Sequence, residues 1–178
     1  MGVIINGVKW ATRNIGFTGK FVSNSENYGE LYQWNTNNSD YFLSEEVYYK
    51  SDFSTATTWL PANDPSPRGW RVPTDKELKT LLNTAKVKQE WTSLNDVFGM
   101  RFTDIATGNS IFLPAAGYID YHGSLTGVDF TGYYWSNIEA VIDPIYLSNA
   151  YLLIFNRSGA NWGNFPKGCG MAIRSVAE

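Results

Sequence analysis

Apolar positions in this chain fall into short runs broken by Gly, Asn, Asp and Pro, and only one stretch has helical spacing. At the start, "VIINGVKW" places Asn6-Gly7 between two β-branched or aromatic runs, which predicts a hairpin. "NSENYGELYQWNTNNSDYF" mixes aromatic and turn residues without a sustained period, and "NTNNSD" within it reads as a loop. Residues 44–59 read as loop with room for one short strand. Pro61, Pro65 and Pro67 then stiffen the connection and exclude helix there.

After "GWRVP", Thr74 and Glu77 have the spacing of a capping box. Leu78, Leu81, Leu82 and Ala85 follow along one helical stripe, so the main helix is predicted over about 74–86. A shorter helix is expected near Trp91 to Val97. The second half reads as β: "GMRFTD", "NSIFLPAAGYID", "GYYWSNIEA", "NAYLLIFNRS" and "GMAIRSV" are expected strands, the last a plain core strand. "NRSGANWGNF" is expected to be a loop. Many short strands with one dominant helix predict an α+β fold with antiparallel pairing. No repeat or linker divides the chain, so residues 1–178 are read as a single domain.

Composition sharpens this picture in three ways. Aromatic residues make up 16 % and charged residues only 17 % of the chain, a balance closer to a binding surface than to a metabolic enzyme. The formal net charge of -3 has the wrong sign for holding nucleic acid by its phosphates. There is no apolar run long enough to span a membrane, and the basic, then apolar, start of a signal peptide is not seen in "MGVIINGVKW". The single cysteine, Cys169, rules out an intrachain disulfide.

Candidate chemistry is sparse. His122 in "DYHGS" could act as a general base, but it reads more simply as a turn histidine. No nucleophile elbow, phosphate loop or H-E-x-x-H motif occurs. One His and one Cys are too few for zinc. Calcium needs only oxygens, which Asp120, Asp129 and Asp143 could offer, though turn formation is their default role. Nothing near Cys169 would activate a thiol, so a buried small residue is expected there. Arg68, Arg71 and Arg101 are dispersed rather than clustered; Arg71, beside Trp70, could stack on a ring and hold the turn. No catalytic set, metal or cofactor is expected.

The ordered words "NGVKWATRNIG", "YGELYQWN", "DPSPRGWRVPTDKEL", "FLPAAGY", "GYYWS" and "GMAIRSV" resemble the Fibrobacter succinogenes major paralogous domain family of gut Bacteroidetes and their phages. The resemblance runs from Val3 to Val176. It implies a C-type-lectin-like fold, a twisted antiparallel sheet with one main helix and long loops. Members of that family often carry Cys at the positions of Ser66 and Ser175, and the joint replacement here fits a pair of cysteines lost together. Their absence suggests folding in a reducing compartment. On this reading "DPSPRGW" is a rigid corner that tucks Trp70 under the sheet.

The C-terminal part also resembles the variable proteins of diversity-generating retroelements, in which adenine-directed mutation of AAC codons scatters Asn, Ser, Tyr, Asp, Ile and Gly residues over a solvent-facing patch near the C-terminus. The resemblance implies a ligand-binding surface built from Tyr133, Asn137, Tyr146, Asn149, Tyr151, Asn156, Arg157, Asn161, Trp162 and Asn164. Tyr and Trp give contact area at low entropy cost, and Asn gives adaptable hydrogen bonds. The implied role is receptor recognition by a phage or phage-derived protein, at a virion or cell surface, as a monomer or homotrimer. Its partner would be a protein or glycan on a target cell. The alternative is an adhesion or glycan-binding domain of a bacterial surface protein; the Glu-Pro-Asn and Gln-Pro-Asp sugar signatures of calcium-dependent lectins do not occur. An enzyme of the related formylglycine-generating group would need cysteines that this chain does not have.

Overall fold

A computed structural model of the chain describes residues 2–39, 56–141 and 149–178. The first hairpin forms as expected: β1 (Gly2–Ile5) and β2 (Val8–Ala11) pair antiparallel through Ile5 and Val8. Asn6 and Gly7 both take positive φ, 45° and 81°, the requirement of a two-residue turn with the strand twist. Next come β3 (Tyr32–Gln33), a 3-10 turn at Pro61–Asn63, and β4 (Trp70–Arg71).

The helix α1 (Asp75–Thr80) has six residues, so it is shorter than the 74–86 predicted. Its start is as read: the Thr74 side chain accepts from the Glu77 N–H, and the Glu77 carboxylate accepts from the Thr74 N–H. Its end comes early because the Asn83 carbonyl gathers the N–H groups of Lys86 and Val87, turning the chain into a strand. Leu78 and Leu81 still reach the core, but Ala85 is exposed.

The short helix expected near Trp91–Val97 is instead a hairpin. Strands β5 (Val87–Leu94) and β6 (Val97–Asp104) meet at Asn95-Asp96, both with positive φ, 49° and 65°. The Trp, Thr, Val and Phe of this stretch favour the pleated surface over a helix. "NSIFLPAAGYID" divides at Ala115 into β7 (Ser110–Pro114) and β8 (Ala116–Ile119), which join different sheets. Strands β9 (Leu125–Val128), β10 (Thr131–Ala140) and β11 (Asn149–Asn156) follow.

The expected loop "NRSGANWGNF" is a turn followed by a full strand, β12 (Gly159–Pro166). Every residue from Asn149↔Pro166 to Asn156↔Gly159 is in register with β11. Asn and Gly here are tolerated by the ladder rather than breaking it. "GMAIRSV" is core, as expected, but it contains only β13 (Gly170–Met171), and β14 (Val176–Ala177) lies at its end.

The strands form three sheets, ordered β1-β2-β14-β4, β12-β11-β10-β8-β13-β3 with β9 on β8, and β5-β6-β7. Every pairing between these strands is antiparallel except β10 with β8. The fold is therefore α+β and sheet-rich, with one short helix among the described residues.

The central strands are buried on both faces. Side chains alternate along a strand, so Tyr134, Leu153 and Phe155 enter one core, with Trp10, Leu78 and Phe102. Trp135, Leu152 and Ala150 enter the other, with Tyr32, Trp34 and Met171. The "DPSPRGW" corner is rigid as read: the Asp64 carboxylate accepts from the N–H groups of Ser66 and Val72 at 2.8 and 2.9 Å. Trp70 is not tucked under the sheet, however. It stands half-exposed in β4, with Phe21 edge-on at 5.5 Å, because β4 is the outer strand of its sheet.

Candidate binding surface

The ten residues of the expected surface do not form one patch, and the sheet's alternation is the reason. Asn149, Tyr151, Trp162 and Asn164 lie on the face that carries α1. Tyr133 and Asn161 lie on the opposite face, as cross-strand neighbours of Ile154. Asn156 and Arg157 are exposed at the tip of the β11–β12 hairpin, where Asn156 Oδ1 accepts from the Ser158 N–H at 2.8 Å. Asn137 lies within the bulge between Trp135 and Glu139. Tyr146 lies outside the described residues, as does Asp143.

On the α1 face, Tyr151 and Trp162 stack with ring centroids 5.5 Å apart and 22° between planes. Lys79 of α1 holds its ammonium 4.6 Å from the Trp162 centroid, steadied by Asp75 at 3.1 Å. The Asn149 amide donates to Asn164 Oδ1 at 2.8 Å. These four residues are half-buried, so they are partly structural: Trp162 packs against the first core. On the opposite face Tyr118, Tyr133 and Phe165 form a half-exposed aromatic triangle with centroids 5.0, 5.2 and 5.6 Å apart. Burial and then the neighbouring Tyr118 push the Tyr133 hydroxyl above its ordinary range, so it stays a neutral donor. Asn161 is exposed beside this cluster.

The "SPRGWR" segment forms more than a corner. With the 3-10 turn and the far end of β10 it encloses a cleft of about 570 Å³, whose lining includes Trp59, Arg68, Trp70, Arg71 and Asn137. Sequence reading assigned this segment to structure alone. The overlooked signal is the Arg-Gly-Trp-Arg order, which puts Arg68, Trp70 and Arg71 into the wall of one cleft beside an outer strand.

The other candidates resolve into structural roles. His122 is exposed in a turn that the Asp120 carboxylate organises, accepting from the His122 and Ser124 N–H groups, both at 2.8 Å. Asp129 accepts from the Tyr28 hydroxyl at 2.5 Å and the Phe98 N–H at 3.2 Å. Cys169 is buried, and burial, followed by the charge of Asp120, pushes its thiol up to about 11, away from nucleophilic use. Arg71 does not stack on a ring but makes a two-point ion pair with Glu77 at 2.8 and 2.7 Å. Among the described residues no group of three His, Cys, Asp or Glu side chains is placed to hold a metal ion.

Comparisons of the chain with protein-family models, with curated proteins and with solved structures give no match. None of the described helices is long and apolar enough to cross a membrane.

Proposed function

We propose that this chain is a ligand-binding protein of C-type-lectin-like architecture, a variable protein of a diversity-generating retroelement serving receptor recognition for a phage or phage-derived particle. The observation that carries the reading is the β11–β12 hairpin. Its inner strand is gripped by cores on both faces, while Asn156, Arg157 and Asn161 stay exposed along the outer edge. A rigid ladder presenting amides and a guanidinium loses little entropy on binding and tolerates exchange of those side chains. The partner is a protein or glycan on a target cell.

The test is binding of the labelled protein to a panel of gut bacterial cells. The triple variant Asn156→Ala, Arg157→Ala, Asn161→Ala should lose about tenfold in affinity, roughly 1.4 kcal/mol, with a melting temperature lowered by no more than about 4 °C for the lost Asn156–Ser158 turn bond. Equal binding by wild type and variant, or no binding to any cell, refutes the reading. A reverse transcriptase gene beside a near-identical template repeat would support it independently.

A second reading, a glycan-binding or adhesion domain of a bacterial surface protein, draws on the Tyr151–Trp162 stack beside the Asn149–Asn164 amides. Lys79 already occupies that platform. A glycan array probed with and without calcium separates the two readings.

A further inference from the structure

The cleft behind the β4 corner contains binding groups that the fold does not use. Some of its wall is committed to structure. Both Asp64 carboxylate oxygens accept backbone N–H groups, at 2.8 and 2.9 Å. The Arg71 guanidinium is spent on Glu77. Trp59 donates its indole N–H to the Asn63 carbonyl at 2.9 Å. By contrast, the side chains of Arg68 and Asn137 have no hydrogen-bond partner among the described residues, and both residues line the cleft.

Trp70 is the third uncommitted group. Phe21 meets its ring edge-on at 5.5 Å, and the backbone of Gly2 lies so close that an added Cβ would come within 2.7 Å of the ring. These contacts fix the plane of the indole without burying it. Its N–H has no partner among the described residues.

With Arg71 paired to Glu77, Arg68 is set against two carboxylates, those of Asp64 and Glu178. A phosphate or a nucleotide would meet both carboxylates, and a flat apolar ligand would leave the half-buried Asn137 amide unpaired. The volume, about 570 Å³, is that of a site for a small molecule rather than for a folded partner.

We infer that this cleft binds a neutral saccharide, one or two pyranose rings, stacked on Trp70. The electron-rich face of an indole attracts the C–H groups that line one face of a pyranose. The Arg68 guanidinium and the Trp70 N–H donate to hydroxyl and ring oxygens, and the Asn137 amide both donates and accepts. This site lies apart from the β11–β12 hairpin tip and does not depend on the hairpin being a recognition surface.

The experiment is a titration of the protein with maltose, cellobiose, lactose and N,N′-diacetylchitobiose, read by tryptophan fluorescence. At least one should give a saturable change. Arg68→Ala and Asn137→Ala should each weaken that binding about tenfold. Trp70→Phe should retain it and Trp70→Leu lose it, with folding checked by circular dichroism. The hairpin triple variant should bind the sugar as wild type does, and inorganic phosphate should not compete. The inference is overturned if no disaccharide produces a saturable change, if Arg68→Ala and Asn137→Ala both bind like wild type, or if phosphate displaces the sugar. Loss of cell binding by the hairpin variant with sugar binding intact, or the reverse, tells the two sites apart.

Discussion

Arg174 is fully buried, and no carboxylate pairs with it among the described residues. Its guanidinium donates to Asn14 Oδ1, the Ala11 carbonyl and the Phe112 carbonyl at 2.9, 3.2 and 2.9 Å. Burial pushes its pKa down to about 10, so it remains charged at neutral pH. The same pocket pushes the Tyr134 hydroxyl up to about 12, where it accepts from Asn14 and donates to the Pro114 carbonyl. One planar fork thus joins β2, β7 and the chain before β14, a task that the single point charge of lysine cannot reproduce. Arg174→Met orphans three buried acceptors and should cost about 3–5 kcal/mol in urea unfolding. Arg174→Lys should recover only part of that. This role was not readable beforehand, because "AIRSV" does not reveal whether its arginine faces water or core.

The element most legible in the sequence is the start of α1, where capping is a local interaction. Thr74→Ala should cost about 1 kcal/mol. The charge on Glu77 adds a pH dependence. Burial by itself would raise this carboxyl, but hydrogen bonds from Arg71 and Thr74 outweigh it and hold the pKa below 4.5. A depressed folded value means that the stabilisation is present above about pH 4.5 and disappears as the pH falls through the folded pKa. Glu77→Gln keeps the capping geometry but loses the charge. The urea midpoints of wild type and Glu77→Gln should differ by a constant amount above pH 4.5 and converge in acid. The difference should be modest, about 1 kcal/mol or less, because the Arg71 side chain is 37 % exposed. Hairpins at Asn6-Gly7 and Asn95-Asp96 depend on the same local chemistry, yet only the first was read correctly. The second is hidden in a stretch expected to be a short helix near Trp91 to Val97, because Asn-Asp is a weaker turn signal than Asn-Gly.

Across the whole molecule, the two ends of the domain close on each other. Val176 of β14 pairs with Trp10 of β2 and with Arg71 of β4. At this junction the Ser66 and Ser175 hydroxyls lie 2.9 Å apart, although 109 positions separate them in sequence. The double variant Ser66→Cys, Ser175→Cys should therefore oxidise to an intrachain disulfide. Thiol titration of the unfolded protein should then find only Cys169 reactive, and reduction should restore three thiols. In the chain-entropy view a loop of this length is worth about 5 kcal/mol, measured as the gap between oxidised and reduced urea midpoints. Three reactive thiols after oxidation would mean that the junction is too open for the bond to form.

Local chemistry settled what local chemistry can settle: the first turn, the helix cap, the stiff proline corner, the β-rich second half and the low charge that argues against phosphate binding. These depend on residues a few positions apart. The sequence also brought Ser66 and Ser175 together, but through resemblance rather than physics. Tertiary structure alone decided which side of the sheet each tyrosine and asparagine occupies. A strand buried on both faces has no polar alternation to read, so Tyr133 and Tyr151 look alike until β10, β11 and β12 are placed in register. It also decided that "SPRGWR" borders a cleft, since that depends on Trp59 and Asn137 arriving from elsewhere in the chain. Side-chain direction in a central strand and the walls of a cavity are set by partners distant in sequence, and no short-range pattern encodes them.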